Sequence, residues 1–149
     1  MPVSSTQNPA SLRRIACTLL VLGWYGVIFW FSNQPDLTVS DDDLIDLVVR
    51  KAAHVLVFGV LAVLCAQLWG SFTRSRSMVI IGAWALTLAL AVSDEWHQTF
   101  VHGRVGHAQD VAIDMAGATV ALLLVRARLH RRPAGTTPAV APPAEEFQP

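Results

Sequence analysis

Charge is scarce in this 149-residue chain: 15% of its residues are Asp, Glu, Lys or Arg, where a soluble domain carries about 25%. Eleven basic residues balance eleven acidic ones. That balance excludes a generically basic nucleic-acid binder and an acidic tail protein. Cysteine is scarcer still, with two residues. Cys17 and Cys65 lie inside apolar runs, so they suggest neither an exposed disulfide framework nor a paired-cysteine metal motif. No HExxH is present, and the cations Lys51 and Arg104 among the acidic residues oppose a bound metal ion. No metal and no cofactor is therefore expected. What the chain does have is apolar surface: 53% hydrophobic residues and a mean hydropathy of +0.45. A chain this short has too little interior to hide that surface from water. The composition describes an integral membrane protein whose first partner is the lipid bilayer.

A membrane-spanning helix needs about 20 mostly apolar residues. Four stretches qualify, at about 15–33, 52–71, 77–96 and 108–126. In lipid the backbone must satisfy its own hydrogen bonds, so the spans are helices. The first follows Arg13-Arg14 as a signal peptide would, but it is long and lacks a small-x-small cleavage site, and reads as a retained helix. The basic residues orient the bundle. Arg13, Arg14, Arg74, Arg76, Arg126, Arg128, Arg131 and Arg132 fall on one side, and Arg50, Lys51 and Arg104 on the other. The positive-inside rule then places both termini in the cytoplasm. Between the first two spans, Ser40-Asp41-Asp42-Asp43 followed by Leu44, Ile45, Leu47, Val48 and Val49 predicts an N-capped short helix on the outer surface, running into span 2. The fold class is thus an all-α membrane protein with four transmembrane helices, N-in and C-in. Residues 1–11 are expected to be a flexible N-terminus and 12–130 the transmembrane domain. Residues 131–149, rich in Pro and Ala, are expected to be a disordered tail.

The polar residues inside the spans collect at one depth. Lys51 and His54 open span 2 on a shared helix face; Asp94, Glu95 and Gln98 close span 3; Asp110 and Asp114 open span 4; Arg104 lies in the loop between spans 3 and 4. Asp114 stands about 16 Å from the inner end of its helix, inside the hydrocarbon region. An isolated Asp there is unfavourable by about 2.5–3.5 kcal/mol, so it is expected to face the bundle and find a partner among Lys51, Arg104 and His54. These eight residues are the candidate ligand-binding set, with His54 and Glu95 the candidate acid/base groups. Asp41, Asp42 and Asp43 are expected to be a solvated cap, and His102 and His107 loop residues. Gly117 and Ala121 share the face of Asp110 and Asp114 and predict close helix packing. Gly23 and Gly26 are expected to serve close packing in span 1.

At these residues the sequence resembles the VanZ-like family of small membrane proteins. The matching stretches are Phe31-Ser32-x-Gln34-Pro35, Lys51-x-x-His54, Asp94-Glu95-x-x-Gln98 and Gly103-Arg104-x-Gly106-x-x-x-Asp110-Val111. Asp114-x-x-Gly117 stands where the family tends to show Asn-x-x-Gly, and His107 where it usually has a small hydroxyl residue. The resemblance covers roughly residues 15 to 127. It implies a four-helix inner-membrane (plasma-membrane) protein of the cell envelope. The family is named for a protein associated with resistance to the glycopeptide teicoplanin.

Two functions compete. One is a site for an anionic, lipid-linked or glycopeptide-related envelope ligand, in which Lys51 and Arg104 hold a phosphate or carboxylate and His54 serves as acid or base. No nucleophile motif is present, so catalysis stays open. The other is a non-catalytic scaffold or accessory subunit of an envelope enzyme, its polar cluster a structural clasp. A proton pathway ranks last, because the inner halves of the spans offer no chain of ionisable groups.

Overall fold

A computed structural model describes residues 8–34, 41–102, 104 and 106–131. The N-terminal segment 1–7, the stretch 35–40 and the expected tail from residue 132 onward lie outside the described residues. Four helices follow one another: α1 (Pro9–Ser32), α2 (Asp43–Trp69), α3 (Arg76–Gln98) and α4 (Ala108–Arg131). All four are long and apolar enough to cross a membrane, so the chain is a multi-pass helical membrane protein. Residues Asp43 to Arg50, expected as a short helix running into span 2, are the first turns of the continuous helix α2.

Local chemistry sets the helix starts. Asn8 accepts from the Ala10 backbone N–H at 3.0 Å, and Pro9 occupies the first helical position, where its missing N–H is no loss. Asp42 accepts from the Leu44 and Ile45 N–H groups at 2.9 and 3.1 Å, and Asp43 and Asp46 place negative charge in the first turn. The side chain of Ser75 caps α3. Asp41, Asp42 and Asp43 are all exposed, as a cap requires.

The bundle is built around α2 and α4, which share its most extensive contact; α3 packs on both. Small residues make this possible. A Cβ on Gly117 would collide with the Val55 carbonyl, and one on Gly59 would touch the Gly117 carbonyl at 3.5 Å and the Ala121 Cβ at 3.7 Å. Close backbone approach is the main source of helix cohesion in lipid, where apolar surface gains little by leaving the solvent. Phe58, Leu61, Ala62, Cys65, Ala83, Ala91 and Ala118 are completely buried at this centre. Cys17 and Cys65 are buried free thiols. Large apolar side chains such as Leu20, Leu56, Ile81 and Leu124 point outward instead, as a lipid solvent allows.

Helix α1 is the peripheral member. It packs on α2, touches α3 lightly and has no contact with α4 among the described residues. Hydrogen bonds to main-chain carbonyls help hold it, among them Trp24 Nε1 to Val57 at 3.0 Å and the Tyr25 hydroxyl to Leu90 at 3.3 Å. The close-packing role expected of Gly23 and Gly26 is corrected here. A Cβ on either would meet nothing within 4 Å, because this side of α1 turns away from the bundle.

Candidate functional site

Antiparallel connection brings the end of α1, the start of α2, the end of α3 and the start of α4 to one end of the bundle. All eight candidate residues lie there, and the pattern of contacts shows what each does. Lys51 donates to Asp110, an ion pair joining α2 to α4. One helical turn deeper, His54 Nδ1 lies 3.1 Å from Asp114 Oδ1, again linking α2 to α4. Asp114 is completely buried, so of the three partners open to it in the sequence the histidine is the one that reaches it. A carboxylate at Nδ1 favours an imidazole that carries its proton there and fixes the ring's orientation.

Asp94 is also completely buried. It accepts from Ser32 Oγ at 2.7 Å and from Gln98 Nε2 at 3.1 Å, joining α1 to α3. Ser32 was part of a matched sequence stretch but no candidate. A lone serine at a helix end gives no sign that it will be 4% exposed and donate to a carboxylate.

Glu95 and Arg104 act as helix caps supplied from outside the helix they cap. Glu95 Oε2 accepts from the His107 backbone N–H at 3.0 Å, immediately before α4 begins. That is the reciprocal half of a capping box, provided by a different helix. Arg104 donates from Nε to the Gln34 carbonyl at 3.1 Å, and from Nη2 to the Gln34 and Phe31 carbonyls at 2.8 and 3.4 Å. It thereby satisfies acceptors left over at the C-terminal end of α1. Of the two cations offered to Asp114 in the sequence, Lys51 is taken by Asp110 and Arg104 is drawn to the carbonyls at the end of α1. Burial, and the nearby Arg50 charge, push the Arg104 guanidinium down from its usual value. Gly106 lets the loop close, because a Cβ there would run into the Glu95 carbonyl. His102 is exposed, and His107 contributes its backbone to the Glu95 cap.

Three carboxylate oxygens are buried with no hydrogen-bond partner among the described residues: Asp94 Oδ1, Glu95 Oε1 and Asp114 Oδ2. Leaving a buried acceptor unmet costs about 1–3 kcal/mol, so each calls for a donor such as a buried water. Among the described residues no three His, Cys, Asp or Glu side chains are arranged to hold a metal ion.

Two cavities meet at this end. A polar one of about 270 Å³ is lined by Arg50, Lys51, His54, Gln98, Arg104, His107 and Asp110 together with Leu47. The other, about 400 Å³, runs between α1 and α2, where Trp24, Val27, Ile28 and Phe31 face Val49, Ala53 and Val57. Arg50, His54 and Arg104 line both. Arg50 escaped the candidate set. Its guanidinium lies 2.7 Å from the buried Asp46 one turn back, a pairing that reads in sequence as ordinary helix-surface decoration.

Four membrane-length helices with a polar, carboxylate-rich cluster at one end define a small polytopic membrane protein with a built polar site. The chain belongs to the VanZ/LLP1 family, whose model matches residues 17–129. No curated protein and no solved structure matches it.

Proposed function

We propose that this protein sits in the plasma membrane with both termini cytoplasmic, turns its polar end outward, and binds there an anionic, lipid-linked ligand of the cell envelope. The orientation rests on the charge bias of the sequence, eight basic residues on one side of the spans against three on the other. The ligand class rests on one observation: the polar cavity and the apolar groove share Arg50, His54 and Arg104. A molecule with a charged head and a hydrocarbon chain matches both halves at once. The head meets the cations, and the chain lies along Trp24, Val27 and Val57. If the site performs transfer or hydrolysis, His54 is the acid/base group, held by Asp114 through Nδ1 and with Nε2 left for the ligand. Resistance to teicoplanin is one phenotype such a ligand could convey, and it is proposed on the family resemblance alone.

The scaffold reading also has an observation in its favour. Lys51, His54 and Arg104 all make contacts within the protein, as a clasp for an accessory subunit would. Ala53→Trp separates the two. Ala53 is exposed on the groove wall and carries no polar group, so the change fills the groove and leaves every polar contact intact. Purified full-length protein is titrated with a polyprenyl phosphate and its bound fraction read by native mass spectrometry. The ligand reading expects binding by the wild type and its loss in Ala53→Trp at unchanged thermal stability. Equal binding by both proteins, or none by the wild type, leaves the scaffold.

A further inference from the structure

The opposite end of the bundle holds a further cavity that the reading above does not use. It measures about 430 Å³, and Arg13, Arg74, Arg76 and Arg128 line it. These come from the start of α1, the loop after α2, the start of α3 and the end of α4. None of the four has an ion-pair partner among the described residues. The contrast with Arg14 is informative. Adjacent in sequence, it is occupied inside the protein, donating from Nε to the Ser71 carbonyl at 3.2 Å and lying over the Phe72 ring at 4.8 Å.

Apolar side chains make up most of the remaining lining: Val63, Val79 and Val125 lie further into the bundle than the arginines, beside the buried Ala66, with Gln67 and Thr73 its polar members. Four like charges around one opening repel one another, and an anion between them relieves that repulsion. A free anion in water would find the charges but have no use for the apolar walls. A phospholipid uses both, with its phosphate among the guanidinium groups and the upper part of a chain against the side chains below.

We propose that this cavity is a binding site for an anionic phospholipid, independent of the ligand site at the other end. The phosphate is held between Arg74, Arg76 and Arg128, whose planar forks suit phosphate oxygens. Bound in this way, the lipid ties α2, α3 and α4 together where the described residues show no ion pair that does so.

The test is competition between lipids. Full-length protein in nanodiscs of phosphatidylcholine with a minor share of phosphatidylglycerol is released in the mass spectrometer, and the lipids it retains are counted. The proposal expects one phosphatidylglycerol retained in strong preference to phosphatidylcholine. Arg76→Gln and Arg128→Gln should each weaken retention about fivefold, the size of one basic contact at a membrane surface, and Arg14→Gln should leave it unchanged. Gln67→Trp, which blocks the exposed cavity rim without removing charge, should abolish retention while thermal stability in detergent stays at the wild-type value. Three results would overturn the proposal: equal retention of both lipids, equal losses on replacing any arginine at this end (a diffuse field), or displacement of the lipid by millimolar inorganic phosphate (a free-anion site).

Discussion

The two ends of this bundle treat charge in opposite ways. At the end with the candidate site, charged groups are partnered inside the protein: Lys51 with Asp110, His54 with Asp114, Arg50 with Asp46, Glu95 with the His107 backbone, and Arg104 with the last carbonyls of α1. At the other end, Arg13, Arg74, Arg76 and Arg128 surround a cavity with no ion pair among the described residues. Burial explains the difference. Asp94 and Asp114 are completely buried, where an unpaired charge is costly. The four arginines are exposed and can be met by water, headgroups or ions. Charge at the first end is therefore held in place by contacts within the protein, whereas charge at the second has no ion-pair partner among the described residues.

Substitutions can break or sharpen this contrast. The largest effect is expected from His54→Leu, which strips the completely buried Asp114 of its partner. Loss of one half of a buried pair costs about 3–5 kcal/mol, read as denaturant stability in detergent. The double variant with Asp114→Leu should recover most of that loss. A single variant as stable as wild type would show that the pair is not structural. Glu95→Ala comes next. It removes the cap on α4, worth about 0.5–2 kcal/mol, and hydrogen exchange should speed up at the first turn of α4 before anywhere else. Lys51→Ala is milder, about 1 kcal/mol, because the Lys51 side chain is 34% exposed and its Asp110 partner 20%. Smallest of all, Arg76→Gln or Arg128→Gln should shift stability by no more than about 0.5 kcal/mol in a detergent that carries no anionic lipid. A loss there as large as that from His54→Leu would erase the difference between the ends.

Much of this arrangement was legible in the sequence. Four apolar runs and their antiparallel connection were enough to bring eight polar residues to one depth, and the small residues Gly117 and Ala121 marked the α2–α4 contact. Other parts left no residue-type signal. Arg104 caps α1 through the Phe31 and Gln34 carbonyls, and every residue carries a carbonyl. Ser32 and Arg50 matter through their surroundings rather than their spacing. Gly23 and Gly26 misled because a small residue in a span permits close approach without saying which face has a neighbour. The side of the membrane each end faces follows only from the charge bias. Single cysteines at Asp41 and His102 should react with an impermeant thiol reagent in intact cells, and ones at Ser75 and Thr137 should not. Labelling at Ser75 would reverse the orientation.

The central claim is that the polar end and the groove between α1 and α2 together receive one anionic lipid-linked ligand. It is tested most directly by photo-crosslinking full-length protein, in native membranes, with a polyprenyl phosphate bearing a photoreactive group on its chain, and mapping the adducts by peptide. The account predicts adducts concentrated between Trp24 and Phe31 and between Val49 and Val57, displaced by excess unlabelled polyprenyl phosphate and lost in Ala53→Trp. Adducts spread evenly over the lipid-facing residues of all four helices, and not displaced, would contradict it.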